Sequence, residues 1–361
     1  MKMKQYDVAI IGGGVHGLFS AYALARRGKS VVVCEQYEFG HLRGSSHGAT
    51  RIYRLSYDNP DYVKLALNGL GLWRQIEDEA QVSLIEPNGC VDHGPAPAIA
   101  SRVNAMDQCG VASEVLTPEE AKYRWPNLSF DETVVFHPGG GRIYARATLT
   151  AMHELCSTKG VELKEFFPIK KIYDNSSGKK VLESDSGSIT ASVVVCAAGA
   201  WTRELLKDFI TIPEPKISQE QSLYFSSRDP GAIWPNMFHH RDTTFYSQEA
   251  PGVGVCVGGM RMGTYLESVE DRDFIVDPLV AIQVCDYVSQ FMPGLDEQTL
   301  STETCIATFN NSNDFIVDRV GNIVVLMACQ QIGFTFAPII GKLAADLVTE
   351  SQFSQLRFRL P

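Results

Sequence analysis

The hydrophobic pattern of residues 6–34 predicts a strand, a helix and a second strand. Tyr6–Ile11 is a short, mostly apolar run that ends in glycines, apolar residues then recur at helical spacing up to Gly28, and Val31–Cys34 is wholly apolar. Short apolar runs bounded by glycine are typical of strands buried in a parallel sheet, and a helix between two of them completes a βαβ unit. We therefore predict a parallel βαβ unit over this segment.

The same two patterns, short apolar runs and apolar residues at helical spacing, predict further strands and helices along the chain. Start signals at Asn59-Pro60 and at the Thr117 capping box, together with helical apolar spacing, predict helices at 60–79, from 117, and at 147–159, 202–207, 278–291 and after Pro338. Three short runs separated by turns predict a small antiparallel meander over 161–166, 170–173 and 180–183. Residues 216–265 alternate strand-like segments, and the apolar runs at 192–196 and 323–328 predict buried central strands.

The order of these elements predicts an α/β protein, α+β overall, with two domains. Because α/β character at both ends brackets a β-rich middle, the nucleotide-binding domain is expected to be assembled from separated segments. We assign a Rossmann-like domain to residues 1–85, 140–215 and 300–361. A β-sheet-rich substrate domain is assigned to residues 86–139 and 216–299.

Composition is that of a folded protein of enzyme size. The 361 residues are 45% hydrophobic and 20% charged, and the net charge of −10 argues against nucleic acid as a partner. Val320–Gly341 carries no charge over 22 residues, but polar residues and Pro338 interrupt it. We predict a strand, a turn and a helix start there, and no membrane partner.

The cysteines and the first residues bear on location. Nine cysteines are scattered without paired or metal-ligand spacing, which favours reduced thiols and argues against a metal site. Asp7 and the glycines after it interrupt the apolar segment of a secretory signal. We therefore expect a cytoplasmic protein, with a monomer favoured and a small molecule as its ligand.

A dinucleotide fingerprint lies in the βαβ unit. Gly12, Gly14 and Gly17 follow the first strand and open the helix, and Glu35 ends the second strand. Glycine there allows a tight turn, close approach of the backbone to a pyrophosphate and close helix packing, while the helix N-terminus offers free amides. The acid accepts hydrogen bonds from ribose hydroxyls and disfavours a 2′-phosphate, which argues against NADP and leaves FAD and NAD open.

A loop rich in glycine, serine and basic residues follows, reading HLRGSSHGATRIYR over residues 41–54. Alone it also fits a solvated basic loop. Directly after a dinucleotide unit, however, the GSSHG segment closed by Arg51-x-x-Arg54 resembles the family of monomeric sarcosine oxidase, N-methyltryptophan oxidase, pipecolate oxidase and fructosyl-amine oxidase, which are FAD-dependent amine oxidases of the DAO-like flavoproteins.

The resemblance extends along most of the chain. Trp73 lies on the helix after the loop, as in the family, and further segments follow in the family's order. Residues 193–201 resemble its second nucleotide-contacting strand and turn, 258–263 its GxKxG segment, 305–309 with 314–318 its covalent-flavin segment, and 333–336 its closing GFKF segment.

The resemblance implies bound FAD. The family's flavin is joined through its 8α-methyl to a cysteine that falls on Cys305, and Arg51 is a cation that would lower the pKa of that thiol; the alternative is an ordinary buried cysteine. The implied cofactor-binding residues are Gly12, Gly14, Val15, His16, Gly17, Glu35, Gln36, Ser45, Ser46, His47, Arg51, Ala198, Gly199, Trp201, Cys305, Gln331, Gly333, Phe334 and Thr335.

The catalytic residues implied by the family include three departures from its pattern. Arg54 falls on the residue that holds the substrate carboxylate, Arg261 replaces the lysine credited with oxygen activation, and Thr335 replaces a lysine that is the second carboxylate anchor. Tyr265 stands where the family has a histidine, and Tyr246 and Tyr265 are candidates for the pocket wall. With one cation fewer, we expect a substrate other than sarcosine, unless Lys342 or Arg142 takes the vacant place.

The implied reaction is oxidation of the C–N bond of a secondary amine or amino-acid-like substrate to an imine, with O2 reduced to H2O2. The residues leave three alternatives open. They are a flavin dehydrogenase that uses another electron acceptor, a non-catalytic FAD-binding protein and a plain NAD dehydrogenase.

Overall fold

The computed structural model describes residues 4–350 and 356–360. In this part of the chain the α-helices are Val15–Ala25 (α1), Pro60–Ala80 (α2), Ala96–Gln108 (α3), Pro118–Arg124 (α4), Ala145–Thr158 (α5), Thr202–Leu206 (α6), Pro278–Phe291 (α7) and Ala337–Thr349 (α8).

The strands are Gln5–Ile11 (β1), Val31–Cys34 (β2), Thr50–Tyr53 (β3), Ile85–Glu86 (β4), Cys90–Gly94 (β5), Glu114–Leu116 (β6), Thr133–His137 (β7), Gly141–Tyr144 (β8), Glu162–Lys164 (β9), Lys171–Asp174 (β10), Lys180–Ser184 (β11), Gly187–Cys196 (β12), Lys216–Ser227 (β13), Asn236–His239 (β14), Phe245–Ala250 (β15), Gly254–Gly259 (β16), Thr264–Leu266 (β17), Leu295–Phe309 (β18), Ile316–Val320 (β19) and Ile323–Met327 (β20).

The first sheet is built around a parallel core. β2, β1, β12 and β20 are neighbours in that order and run parallel, with β9 parallel to β2 at one side and β19 antiparallel to β20 at the other. The buried faces of β1, β2 and β20 are lined with Val, Ile and Leu, as expected for strands covered on both sides. The predicted βαβ unit and the predicted α/β, α+β class are both confirmed.

Two helices far apart in sequence cover one face of this sheet. α1 packs against α8, and a Cβ added at Gly341 of α8 would lie 2.6 Å from the backbone of Phe19 in α1. Only glycine permits this close crossing of the two helices. Both helices share one hydrophobic core with α2 and α5.

The second sheet has nine strands and is mostly antiparallel. Its order is β17-β13-β16-β15-β14-β5-β7-β6, with β18 also paired to β13 and with β14 parallel to β5. α7 and α4 pack on it around a separate core that includes Trp125, Phe225 and Phe291. A third sheet has three strands in the order β3-β8-β4. In the sequence, β3 and β4 lie between β2 of the first sheet and β5 of the second, and β8 lies between β7 of the second sheet and β9 of the first.

Two of the predicted domain boundaries fall inside strands, and the one between residues 85 and 86 divides β4. The boundary at residue 300 falls inside β18, which is hydrogen-bonded to β13 along most of its length, so residues 300–309 belong to the second sheet. Residues 1–3, 351–355 and 361, which the predicted nucleotide-binding domain includes, lie outside the described residues. The division into two domains stays a proposal.

Helix ends follow the local signals. Asn59 caps α2 by accepting a hydrogen bond from the Asp61 amide at 2.9 Å, and Thr117 and Glu120 form the predicted capping box of α4. α7 spans the predicted 278–291. The segment 320–341 contains β20, a 3-10 turn at Gly333–Phe336 and the start of α8, as predicted.

One predicted grouping is wrong. β10, β11 and β12 form an antiparallel meander, but the run at 161–166 contributes β9, which pairs in parallel with β2. The connection from β2 to β9 runs through residues 35–161 and ends in α5, which packs against α1, so it is long enough to place β9 parallel to β2. Within residues 4–350 and 356–360, every helix is too short or too polar to cross a membrane.

Candidate active site

A cavity of about 400 Å³ lies between the first sheet and one face of the second. The carboxyl ends of β1, β2, β12 and β20 supply one wall, which is the edge where open α/β sheets bind ligands. The second sheet supplies the other wall through side chains that alternate along its strands, namely Ser222, Tyr224, Tyr246, Gln248, Cys256, Glu303 and Cys305. The site therefore depends on both sheets.

The glycines after β1 are required by close contacts. Gly12 has φ +100°, and a Cβ there would lie 2.5 Å from the carbonyl oxygen of Ala197, which follows β12. A Cβ at Gly17 would lie 1.9 Å from the carbonyl oxygen of Gly12, so glycine at this position lets α1 rest on the turn. Because both residues are glycine, the backbone at the carboxyl end of β1 carries no side chain there.

The N-terminus of α1 faces the cavity. The amide of Val15 donates to Ser46 Oγ at 3.1 Å, and a Cβ at Gly14 would lie 3.1 Å from the same oxygen. The first amides of an α-helix have no partner within the helix, so the amide of His16, which lines the cavity, is available to an anion. Ser46 thus ties the glycine- and serine-rich loop to the fingerprint.

Glu35 is buried at the end of β2. Its carboxylate accepts hydrogen bonds from the Gly13 amide at 2.7 Å and the Tyr37 amide at 3.0 Å, and His41 Nε2 lies 3.4 Å away. Burial alone would raise the pKa of Glu35, but the hydrogen bonds from His41 and the two amides lower it. An ionised carboxylate retains lone pairs for two neighbouring hydroxyl groups.

The 3-10 turn at Gly333–Phe336 closes the cavity opposite α1. His16 Nε2 donates to the Gly333 carbonyl at 3.1 Å, and a Cβ at Gly333 would lie only 1.7 Å from the Ala328 carbonyl oxygen. Burial lowers the pKa of His16, which keeps the ring neutral. The predicted position of Trp73 is explained because its indole donates to the Thr335 carbonyl at 3.0 Å.

Arg51 braces the loop of residues 44–50. Its guanidinium donates to the carbonyls of Thr50 at 2.7 Å, Ser45 at 3.0 Å and His47. The charge still lines the cavity, and its Cζ lies 5.6 Å from the centroid of the Phe334 ring. Arg51 is therefore both a cavity cation and the support of the loop.

A half-buried carboxylate joins this loop to β18. Glu303 accepts hydrogen bonds from His47 Nδ1 at 2.8 Å and from Tyr224 OH at 2.9 Å. Burial alone would raise the pKa of Glu303, but these hydrogen bonds and the charge of Arg51 lower it. Gly48, with φ +103°, leaves the room that the carboxylate needs, since a Cβ there would lie 3.3 Å from it. His47 thus has a fixed orientation, with its Nε2 buried and unpartnered among the described residues.

Arg54 lies at the far end of the cavity between two aromatic rings. Its Cζ is 3.9 Å from the centroid of Phe238 and 4.7 Å from that of Tyr57. Its Nε and Nη1 atoms have no hydrogen-bond partner among the described residues although the side chain is buried. Arg54 lines the cavity, and a guanidinium supported by aromatic rings in a cavity wall suits a planar acceptor such as a carboxylate or an amide.

Comparison with known proteins identifies the family. The family model described as FAD dependent oxidoreductase matches residues 7–347. The chain belongs to this family. It is an FAD-dependent oxidoreductase, and its relatives are named as amine and amino-acid oxidases.

Two curated relatives and one solved structure illustrate the relationship. Monomeric sarcosine oxidase of Arthrobacter sp. is 25% identical, with 95% of this chain and 92% of that protein covered. N-methyl-L-tryptophan oxidase of Yersinia pestis is also 25% identical, with 98% and 100% covered. The fold is shared with NikD, an unusual amino acid oxidase essential for nikkomycin biosynthesis, at a TM-score of 0.89 and 24% identity over 99% and 97% of the two chains.

The site of this FAD-dependent oxidoreductase fits its cofactor. The cradle of Gly12, Gly14 and Gly17 would be filled by any Cβ, the α1 amides face it, and the ionised Glu35 lies where ribose hydroxyls are expected. All the residues that the resemblance implied for FAD except Gly17, which packs behind Gly12, line the cavity itself.

The structure does not bring two predicted catalytic residues into the cavity wall. Arg261 is exposed, donates to Asn313 Oδ1 at 2.6 Å and stacks over Phe309; only its amide reaches Gln331 Oε1, at 3.0 Å. Tyr265 is 56% exposed on the edge strand β17, so the prediction that it lines the pocket is wrong. β17 is an edge strand of the sheet, and Thr264 and Tyr265 on it are exposed.

Neither cation proposed for the vacant lysine place reaches the cavity. Lys342 is exposed and pairs with Asp346 at 2.8 Å. Arg142 is buried, but it pairs with Glu249 at 2.9 Å and Glu86 at 3.2 Å. Thr335 does line the cavity, and its hydroxyl donates to the Ile52 carbonyl at 2.8 Å, so it offers a ligand only an acceptor.

Several residues of the cavity wall were not predicted from the sequence. The alternation of side chains along strands is the signal that points to most of them. Glu303 precedes Cys305 by two positions on β18, and Gln248 follows Tyr246 by two on β15, so each pair shares a face. Tyr57 follows Arg54 in the same loop. Phe238 carried no such signal, because the pairing of β14 with β5 is long-range.

Proposed function

We propose that this oxidoreductase oxidises the C–N bond of a secondary amine or amino-acid-like substrate to an imine and reduces O2 to H2O2. The observation that carries the proposal is the guanidinium of Arg54, which is in contact with the rings of Tyr57 and Phe238 and lines the same cavity as the dinucleotide cradle. The named activities of the relatives support it.

Bound FAD supplies the acceptance of two electrons from the substrate's C–N bond. The chain's own contribution is positioning. Arg54 anchors the polar group of the substrate, and Tyr57 and Phe238 fix the plane of that guanidinium, so the amine is held at one distance from the cofactor. Because Arg51 and Arg54 are both cations in the wall, they favour the neutral amine over the ammonium form, and the neutral amine is the oxidisable one.

The test of this anchor is a binding measurement. Truncating one partner of a buried, charge-assisted contact costs about 2 to 5 kcal/mol, so Arg54→Ala should raise the dissociation constant of a carboxylated substrate by well over tenfold. The dependence of the anaerobic flavin-bleaching rate on the concentration of secondary amine or amino acid reports the constant. An unchanged constant places the anchor elsewhere.

The electron acceptor is tested separately. The predicted oxygen-activating side chain, Arg261, lies outside the cavity wall, and Arg51 is the guanidinium beside the loop of residues 44–50. We therefore assign the cation that favours oxygen reduction to Arg51. Turnover under air that matches turnover with an artificial acceptor supports an oxidase; turnover with the artificial acceptor alone supports a dehydrogenase. A flavin that no amine bleaches supports a non-catalytic protein.

We also propose that Cys305 holds the flavin covalently. Cys305 would hold the flavin through a bond from Sγ to a ring methyl carbon; forming it would remove two protons and two electrons in total from the thiol and the methyl, and O2 would take up both to give H2O2. Cys305 lines the cavity, but burial raises the pKa of its thiol to about 12, and the charges of Arg51 and Arg272 only partly oppose this. We therefore infer slow attachment that is faster at alkaline pH.

Denaturation distinguishes covalent from tight binding. Acid precipitation should leave the yellow colour with the wild-type pellet, and Cys305→Ala should release it to the supernatant. Cys329→Ala is the matched control, because Cys329 lines the same cavity. Quantitative release from the wild type rejects the bond and leaves FAD binding intact.

The substrate is proposed to be larger or less acidic than sarcosine. Thr335 stands where the family places a second cationic anchor, and its hydroxyl is committed to the Ile52 carbonyl. We further propose a monomer with reduced thiols in the cytoplasm, supported by the nine free cysteines and by the net charge of −10. Size-exclusion chromatography with light scattering tests the monomer.

A further inference from the structure

A buried carboxylate lies directly behind the substrate anchor. Asp92, on β5, is fully buried, and its Oδ1 lies 3.8 Å from Nη1 of Arg54. β5 and β14 run parallel with Asp92 opposite Phe238, the ring that Arg54 stacks on. The pairing of these two strands therefore fixes an anion and an aromatic ring on the same guanidinium.

Asp92 belongs to a chain of polar groups with a defined direction. His240 Nε2 lies 2.6 Å from Asp92 Oδ1, and Arg102 Nη2 lies 3.4 Å from His240 Nδ1. A guanidinium can only donate, so Nδ1 accepts and Nε2 carries the proton that is donated to Asp92. Gly94 makes the contact feasible, because its φ is +153° and a Cβ there would lie 2.5 Å from the His240 carbonyl oxygen.

The charges of these polar groups are fixed. Burial alone would raise the pKa of Asp92, but His240, Arg54 and Arg102 together lower it, and burial lowers the pKa of His240. The set thus consists of two guanidinium cations, one carboxylate anion and a neutral imidazole. Cys90 and His137 also approach Asp92, with donor atoms within 4.8 Å, but the two guanidinium groups disfavour a cation there.

The anion lowers the effective charge of the anchor. A carboxylate bound to Arg54 would sit about 7 Å from Asp92, at a distance where two like charges in protein still repel noticeably. The rest of the wall does not compensate, since Arg51 spends its donors on loop carbonyls and Thr335 offers only an acceptor. Asp92 Oδ1 also lies 3.6 Å from Nε of Arg102, so the carboxylate is shared by two guanidinium groups and offsets only part of the charge of Arg54. To that extent Arg54 is a weaker anchor for anions than an unpaired arginine.

We infer that Asp92 is a specificity-determining residue that makes Arg54 discriminate against carboxylates and favour substrates that present an uncharged carbonyl, such as an amide, to it. This inference rests on the proposed contact between Arg54 and the substrate. Asp92 does not line the cavity, so it acts through Arg54 as a positioning residue.

Acetate and acetamide are suitable probes, because they have the same shape and differ in charge. Their binding to the holoenzyme is read from the perturbation of the flavin absorbance. Asp92→Asn preserves shape and removes the charge, and it is expected to tighten acetate by about tenfold or more while acetamide changes less than about threefold. Arg102→Met changes the charge in the opposite direction and is expected to weaken acetate selectively.

Asp92→Asn and Arg102→Met change the charge in opposite directions, so either variant alone tests the role of Asp92 if the other folds poorly. A merely structural role weakens acetate and acetamide alike in both variants, and that outcome overturns the inference. Asp131→Asn is the matched control, because Asp131 is a half-exposed carboxylate that contacts His93 and not Arg54. It should leave both constants unchanged.

Arg54→Ala separates this inference from the proposed function. If Arg54→Ala abolishes acetate binding while Asp92→Asn leaves it unchanged, Arg54 remains the anchor and the inference about Asp92 fails. If Arg54→Ala changes neither probe, the anchor itself is wrong and both fail. Absence of acetate binding in the wild type and in Asp92→Asn also overturns the inference.

Discussion

The contact between Gly17 and Gly12 leads to a sharp test of the cofactor cradle. An alanine at 17 would place its Cβ 1.9 Å from the Gly12 carbonyl oxygen, whereas ordinary contacts begin near 3.4 Å. The carbonyl or helix α1 must therefore move by more than 1 Å. Either movement displaces the α1 amides from the turn after β1, so Gly17→Ala is expected to lower FAD affinity by more than tenfold.

The change in stability follows from two opposing effects. Alanine in a helix interior is favoured over glycine by about 1 kcal/mol, but forced overpacking costs about 1 to 3 kcal/mol or more. With an unfolding entropy near 2.1 cal/mol/K per residue, 361 residues give about 0.8 kcal/mol/K, so 1 kcal/mol corresponds to about 1 °C. Gly17→Ala should lower Tm by a few degrees at most.

Gly71→Ala is the matched control. Gly71 lies within α2 and is exposed, and a Cβ there meets no heavy atom within 4 Å. The same substitution should therefore raise Tm by about 1 °C and leave the flavin content of the purified protein unchanged. If Gly17→Ala retained wild-type flavin content and Tm, the argument from close packing would be refuted.

Three further predictions follow from other contacts. Glu303→Gln cannot accept from both His47 and Tyr224, so FAD affinity should fall about tenfold by equilibrium dialysis; Glu297→Gln, exposed on the same strand, should not change it. Burial lowers the pKa of His137 to about 4, below its value of about 6.5 in the unfolded state, so the unfolded state is protonated first and the free energy of unfolding falls as pH drops from about 6.5 towards 4. Between pH 7.5 and 5, the free energy of unfolding of His137→Phe, followed through Tm, should therefore fall by about 2 kcal/mol less than that of the wild type. Thr335→Lys should lower the KM for sarcosine in steady-state kinetics, and an unchanged KM means that this position does not set specificity.

Local patterns predicted the elements well because their causes are local. The βαβ unit, the capping box at Thr117 and the helix at 278–291 depend on apolar period, caps and glycines within a few residues. The pairing of β9 with β2 and the attachment of β18 to the second sheet depend on contacts between residues 68 to 130 positions apart. α3 escaped prediction because Pro95 and Pro97 at its start resemble a loop.

The site was predicted most completely where backbone geometry dictates the residue. Gly12, Gly17 and Gly333 can only be glycine, and the sequence shows this directly. The direction of a side chain on an irregular segment is not encoded in such a simple way. Arg261 has φ +59° and turns its guanidinium towards Asn313, which no spacing argument reveals.

The order of strands in the first sheet has a consequence for biosynthesis. β1 and β20 both adjoin β12, yet β20 follows β1 by more than 300 residues. At about 5 to 20 residues per second, the ribosome needs roughly 15 to 60 s to make the chain between them. During that time Gly333, which accepts a hydrogen bond from His16, has not been made, and neither has helix α8, which packs against α1. The strand that carries Cys305 is also missing for most of that time. The nascent βαβ unit must stay soluble without its cofactor until nearly all of the chain has been made.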